Sequence, residues 1–202
     1  MLNRRSIFEQ PDWDQIFPNK NPFNLEIGVG NGEFLTALAK INPEGNFVGI
    51  EVKEKYLEKA KRRIERAKTK NAFVLKCDAL VHLDALLPSG LVQSIFINFP
   101  DPWWKRAHLK RRLFSLATIT QMHSLLKESG KIYVVTDVES YYKDIRKVFL
   151  GNGSFKTSYA NGTDAREKLG LNWYPINYRE KEYRAKGKDI FYLIAEANGK
   201  CL

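Results

Sequence analysis

Three glycines, Gly28, Gly30 and Gly32, punctuate the segment Leu25-Glu26-Ile27-Gly28-Val29-Gly30-Asn31-Gly32-Glu33, which leaves a strand-like run and enters a helical pattern. Glycine at such a turn lets the backbone bend sharply and come close to a ligand. The spacing is GxGxG, not the GxGxxG of dinucleotide sites, and alone it fits a ligand-free tight turn as well. The charges narrow the chemistry. Glu26 precedes the turn and Glu33 opens the helix. Two carboxylates there repel a pyrophosphate, which seeks a bare helix N-terminus, and welcome a cation. Glu51 closes the next strand-like run, Val48-Gly49-Ile50-Glu51, where a carboxylate can accept from both hydroxyls of a ribose or simply face solvent. Asp78 ends a third run in Lys76-Cys77-Asp78-Ala79, placed to accept from an exocyclic amine. A nucleoside bearing positive charge suits this set, and S-adenosylmethionine, with its sulfonium and α-ammonium, is such a ligand.

A second constellation runs from Ile97 to Leu113. Pro100 and Pro102 stiffen the chain on either side of Asp101. Trp103 and Trp104 follow, then Lys105, Arg106, Lys110, Arg111 and Arg112. Cations beside aromatics fit phosphate neutralisation combined with base stacking. The alternative is a solvated helix start whose tryptophans plug the core. A helix is predicted over Arg111 to Leu126, and cations are unfavourable at a helix N-terminus, which favours an anionic partner. The whole chain carries 33 Lys and Arg against 23 Asp and Glu, a formal charge of +10, and a balance of that size favours a polyanion.

These groups need a frame. Residues 1–24 read as an irregular lead-in with Pro11, Pro18 and Pro22, and residues 25–202 as one domain. Strands are predicted over Asn24 to Ile27, Asn46 to Glu51, Ala72 to Lys76, Ser94 to Phe99 and Lys131 to Thr136. Helical patterns separate them: Glu33 to Lys40, Lys53 to Lys70, Val81 to Leu87, Arg111 to Leu126 and Ser140 to Leu150. The Lys53–Lys70 stretch shows an apolar face of Tyr56, Leu57, Ala60, Ile64 and Ala67. Such alternation implies a parallel, doubly wound α/β sheet with helices on both faces. Phe155 to Tyr159 and Ile190 to Glu196, with only a polar, basic stretch between them, are expected to finish it as an antiparallel pair. The acidic residues then share the carboxyl edge of the sheet, where open α/β folds bind ligands.

Two cysteines, Cys77 and Cys201, and three scattered histidines, His82, His108 and His123, give no metal or disulfide spacing. Apolar runs fall far short of the roughly 20 residues that span a bilayer, and the N-terminus shows no apolar signal core. The expectation is a cytoplasmic protein without metal or membrane, a monomer or a homodimer.

The order Glu26–glycine turn, Glu51, Asp78 resembles the class I, Rossmann-like S-adenosylmethionine-dependent methyltransferases. The resemblance implies that Glu26, Gly28, Gly30 and Gly32 face the methionine part of the cofactor, with Asn98 nearby, that Glu51 holds the ribose, and that Asp78 and Ala79 meet the adenine. The stretch Phe99-Pro100-Asp101-Pro102-Trp103, with Lys105 and His108-Leu109-Lys110-Arg111-Arg112-Leu113, is similar to the bacterial tRNA (guanine-N7)-methyltransferase family, over about Asn24 to Glu196. That family's activity would be methylation of a guanine at N7 in tRNA, in the variable loop. Asp101 would be catalytic, Lys105 and Asp137 would contact substrate, and Arg106, Lys110, Arg111 and Arg112 would hold the RNA backbone. Asp137 also suits the cap region of the helix that follows. The family's last motif, Thr-x-Tyr/Phe-Glu, falls on Asn177-Tyr178-Arg179-Glu180, which the resemblance implies bind the substrate guanine. Glu180 matches, whereas Asn177 and Arg179 depart from it. The competing readings are a methyltransferase for another RNA position and a non-catalytic RNA-binding protein on the same fold. The position of the product methyl separates the first, and cofactor binding the second.

Overall fold

The computed structural model describes residues 9–104 and 106–199. Alternating strands and helices produce a seven-stranded sheet of order β3-β2-β1-β4-β5-β7-β6. The strands are β1 (Phe23–Ile27), β2 (Asn46–Glu51), β3 (Ala72–Lys76), β4 (Val92–Asn98), β5 (Leu126–Thr136), β6 (Phe155–Asn161) and β7 (Phe191–Ala197). The first five are parallel. β7 runs antiparallel to β5, from Lys131↔Glu196 to Thr136↔Phe191, and β6 runs antiparallel to β7 at the edge. The chain order reverses at β1, between β2 and β4, which is where such sheets open a ligand crevice.

The helices are α1 (Trp13–Ile16), α2 (Glu33–Ile41), α3 (Glu54–Ala67), α4 (Ala79–Leu86), α5 (Leu116–Leu125), α6 (Glu139–Asn152), α7 (Ala165–Lys168) and α8 (Tyr178–Ala185). Because strand side chains alternate in direction, the sheet packs two cores. Leu25, Ile27, Val48, Ile95 and Ile132 meet Leu83, Ile119, Met122, Ile145 and Phe149 on one face. Val29, Phe47, Phe96 and Tyr133 meet Leu35, Leu38, Leu57, Ala60 and Tyr174 on the other. Burying side chains of this kind contributes roughly 1.5–3 kcal/mol each.

Several predicted boundaries shift, each for a local reason. The lead-in is not wholly irregular. Asp12 caps α1 by accepting from the Gln15 N–H, and the Trp13 indole donates to Leu86 O at 2.9 Å, so Trp13 and Phe17 are buried in the first core. The helix predicted from Arg111 starts at Leu116, where Ser115 accepts from the Thr118 N–H; a 3-10 helix, Arg106–Arg111, precedes it. The helix-dipole argument for the cationic cluster therefore does not apply. α5 runs directly into β5, which begins at Leu126 and shifts register between its pairings to Val92 and Ser94. On α3, Leu57, Ala60 and Ile64 are buried while Tyr56 is exposed. The polar stretch before β7 holds α7 and α8.

Candidate active site

A pocket of about 850 Å³ opens at the carboxyl ends of β1, β2, β3 and β4. Its lining includes Glu26, Gly28, Gly30, Glu51, Asp78, Ala79, Asn98 and Asp101. A second hollow of about 450 Å³ lies at the opposite edge, among Asn24, Phe47, Phe96, Tyr133 and Trp173, and contains none of the predicted residues.

Gly28, Gly30 and Gly32 adopt φ of 79°, 55° and 76°, which L side chains rarely adopt. The Gly28 and Val29 N–H groups donate to Ile50 O, which draws the turn onto the end of β2. A Cβ on Gly28 or Gly30 would meet little, so that space is open to a ligand. Gly32 plays a different part. It does not line the pocket, and a Cβ there would lie 2.8 Å from Ala60 Cα, so its bareness lets α2 and α3 cross closely.

Glu51 is tied to the turn. Its Oε2 accepts from the Gly30 N–H at 3.1 Å and its Oε1 from the Val52 and Lys53 N–H groups at 2.9 Å each. Asp78 caps α4 by accepting from the Leu80 N–H at 3.0 Å while still facing the pocket. Glu26 is 2% exposed; the Asn98 amide donates to its Oε1 at 3.3 Å, and its buried Oε2 has no hydrogen-bond partner. Burial pushes this carboxyl up to about 8, against the lowering pull of the Asn98 amide and the Leu35 backbone N–H and with a smaller raising push from the Glu51 carboxylate. An unpaired buried carboxylate oxygen is costly, and an ammonium group at that point removes the cost. The site thus fits the α-ammonium of S-adenosylmethionine at Glu26, with the glycine cradle beside it and Glu51 and Asp78 along the same edge.

The opposite wall is the exit of β4. Phe99 and Trp103 have φ of 51° and 44°, uncommon for bulky residues and characteristic of constrained functional loops. The Phe99 N–H donates to Val135 O at 2.7 Å, and Arg179 Nη1 donates to Phe99 O at 3.3 Å. Asp101 is exposed between them on the pocket rim. Neither tryptophan plugs the core. Trp104 is 64% exposed, and Trp103 lines the pocket with the Arg111 guanidinium 5.3 Å from its ring centroid.

The structure distributes the remaining predicted residues unevenly. Asn177, Tyr178 and Arg179 line the pocket. Asn177 caps α8 by accepting from the Glu180 N–H, and the Tyr178 N–H donates to Glu33 Oε2 at 3.1 Å. Glu33 thus fastens the start of α8 to the helix that leaves the glycine turn. Glu180, by contrast, is turned inward. It is fully buried and its Oε1 accepts from Arg166, Arg184 and Tyr192, while its Oε2 has no hydrogen-bond partner among the described residues; it holds α7, α8 and β7 together and does not face the pocket. Asp137 sits 3.9 Å from Lys188 Nζ and is not among the lining residues. Nor does it cap α6, whose N-cap is Val138. Arg112 is largely spoken for: it donates to Pro102 O and to Asp144 Oδ2, both at 2.8 Å, and so braces the Asp101 loop. Arg106 and Lys110 lie on the 3-10 helix, and Lys105 falls outside the described residues.

Sequence reasoning missed Tyr174. Its hydroxyl donates to Asn98 Oδ1 at 2.7 Å, while Asn98 Nδ2 serves Glu26. A single tyrosine in a polar stretch carries no signal of this. The start of α8 did carry one, because Asn177-x-x-Glu180 has the form of a helix cap. Among the described residues no group of three or more His, Cys, Asp or Glu could hold a metal, and no helix is long and apolar enough to cross a membrane.

Comparison with known proteins agrees with this geometry. A family model described as "Putative methyltransferase" matches residues 20–193. The tRNA (guanine-N(7)-)-methyltransferase of Alkaliphilus oremlandii is 37% identical over 183 residues, 91% of this chain and 85% of that protein. The protein of the same name from Thermotoga maritima is 34% identical over 184 residues, 91% of this chain; the aligned stretch spans only 56% of that relative's length. Among solved structures, the 16S rRNA methyltransferase KamB shares the fold with a TM-score of 0.68 at 17% identity, over 95% of this chain and 96% of that one. The chain belongs to the tRNA (guanine-N7)-methyltransferase family, whose fold is the Rossmann-like one of methyltransferases that use S-adenosylmethionine.

Proposed function

We propose that this protein methylates N7 of a guanine in tRNA, the variable-loop guanine being the target, with S-adenosylmethionine as donor. It would act in the cytoplasm as a single domain, monomeric or homodimeric. The observation that carries the reading is the unpaired, buried Glu26 oxygen in a pocket whose far rim bears Asp101.

When bound, the cofactor supplies an electrophilic methyl carbon next to a cationic sulfur. Glu26 would hold its ammonium, Glu51 its ribose and Asp78 its adenine. N7 of guanine already carries a lone pair, so no general base is required, and the protein's task is alignment. Positioning of this kind can supply roughly 7–11 kcal/mol in favourable cases. Asp101 accepts from the N1–H and amino group of guanine, which adenine cannot offer in that arrangement, and it offsets the positive charge that develops on the base. Arg179 and Arg112 keep Asp101 in place by bracing Phe99 O and Pro102 O. Arg179 stands where the family carries an aromatic residue, and a guanidinium plane can likewise stack on a base.

The test is transfer from radiolabelled S-adenosylmethionine to unmodified tRNA, with the product nucleoside identified by mass. 7-Methylguanosine supports the reaction, and borohydride–aniline cleavage then locates it. Another methylated nucleoside overturns the choice of atom.

A further inference from the structure

Much of the charge of this protein falls on one helix, α3, and its immediate flanks. Between Lys53 and Lys70 stand nine Lys or Arg and three Glu, a net +6 of the chain's +10. On α3, Lys55, Lys59, Arg62 and Arg66 fall at i, i+4, i+7 and i+11, which is a single stripe along the helix. All four are exposed. The buried residues Leu57, Ala60 and Ile64 occupy the opposite side. The carboxylates lie off the stripe: Glu54 pairs with Lys76 and Glu58 with Lys61, each at 2.9 Å. None of the four stripe cations has an ion-pair partner among the described residues. Arg62 Nε donates only to the helix carbonyl of Glu58.

Like charges three and four residues apart weaken a helix, so helix stability does not account for this pattern, and a polyanion laid along it does. The stripe also connects with the pocket. Tyr56, on its flank, lines the pocket with Lys53 and Lys59 Nζ 5.8 Å and 5.9 Å from its ring centroid. Arg63 Nε donates to Asn31 O at the glycine turn, 3.0 Å away. The stripe extends about 17 Å, from Lys55 to Arg66, at about 1.5 Å per residue. β2 and β4 flank β1, so α3, which follows β2, and the Arg106–Arg111 segment, which follows β4, stand on opposite sides of the pocket.

We propose that the Lys55, Lys59, Arg62, Arg66 stripe binds the phosphate backbone of the substrate RNA outside the pocket, so that the RNA is gripped on both sides of the reacting base. The proposal rests on the reading of the substrate as tRNA. An anionic bilayer fits less well, because surface helices bind membranes through an exposed apolar face, and the apolar face of α3 is buried in the core.

The test combines Lys55→Gln, Lys59→Gln, Arg62→Gln and Arg66→Gln, with binding of an unmodified tRNA transcript measured across a salt series. Each phosphate contact contributes about 0.9 to the slope of log affinity against log salt. The expected result is at least roughly tenfold weaker binding at low salt and a slope shallower by about 3. KM for tRNA rises, while kcat and S-adenosylhomocysteine affinity stay unchanged. Should the quadruple variant lose its circular dichroism spectrum, the pair Lys55→Gln, Arg66→Gln gives the same reading with a slope change of about 2. An unchanged slope in a folded variant overturns the proposal. So does loss of binding to phosphatidylglycerol vesicles with tRNA affinity intact. If tRNA binding responds but the native protein forms no 7-methylguanosine, the stripe stands and the catalytic reading falls. If methylation proceeds and binding ignores the substitutions, the stripe alone falls.

Discussion

Glu26→Gln tests the centre of the proposed cofactor site, because the native carboxyl is held at about 8 by burial, against an ordinary value of 4.5. The native state therefore binds a proton that the unfolded chain releases between those two values. The stability tied to that proton is whole below about 4.5 and is lost as pH rises towards 8. A shift of this size corresponds to about 5 kcal/mol at its limit. An ammonium ligand needs the carboxylate, so binding at pH 7 must expel the proton from about nine molecules in ten. Cofactor affinity should then rise about tenfold between pH 6.5 and 7.5, with close to one proton released. Titration calorimetry with S-adenosylhomocysteine, in buffers of different ionisation enthalpy, reads both quantities. Glu26→Gln should bind about 10–100-fold more weakly, as expected for a lost charge-assisted hydrogen bond, and its affinity should not change with pH. It should also lose the decline in thermal stability towards pH 8. Native affinity that is flat from pH 6.5 to 7.5, with no proton release, would refute the reasoning.

Tyr174→Phe removes the hydroxyl that orients Asn98 and leaves the ring packed on Phe34 and Phe96. It should weaken cofactor binding about fivefold, in line with one hydrogen bond, and move the proton-release midpoint upward; an unmoved midpoint means the hydroxyl is only structural. Gly32→Ala forces a Cβ to 2.8 Å from Ala60 Cα at a φ of 76°, so urea unfolding should show a loss of roughly 2–4 kcal/mol. Native-like stability would mean that α2 and α3 separate freely. Asp101→Ala should lower kcat about 100–1000-fold without changing cofactor affinity, measured under saturating S-adenosylmethionine and tRNA; a native rate removes Asp101 from the chemistry.

The order of strands and helices, the glycine turn and the acidic residues behind it were legible in the sequence because they depend on local rules: periodicity, turn chemistry, and the placing of ligand groups at strand ends. Tyr56 misled for the same local reason, since its spacing places it beside the buried face of α3 and only the neighbouring pocket leaves it exposed. The short helices before β7 escaped because they are polar and held by contacts distant in sequence, such as Tyr178 with Glu33. Sequence alone determined the fold class, the charge and the carboxylates Glu26, Glu51, Asp78 and Asp101 at the crevice, although it also offered Asp137, which does not line it. Which carboxylate turns an unpaired oxygen to the pocket, as at Glu26, which is tied through one oxygen inside the protein away from it, as at Glu180, and which arginine braces a loop, as at Arg112, were decided only by the tertiary structure. The physical reason is that burial and hydrogen-bond partners belong to the packed neighbourhood of a residue, and in this chain those neighbours lie 4 to 72 positions away.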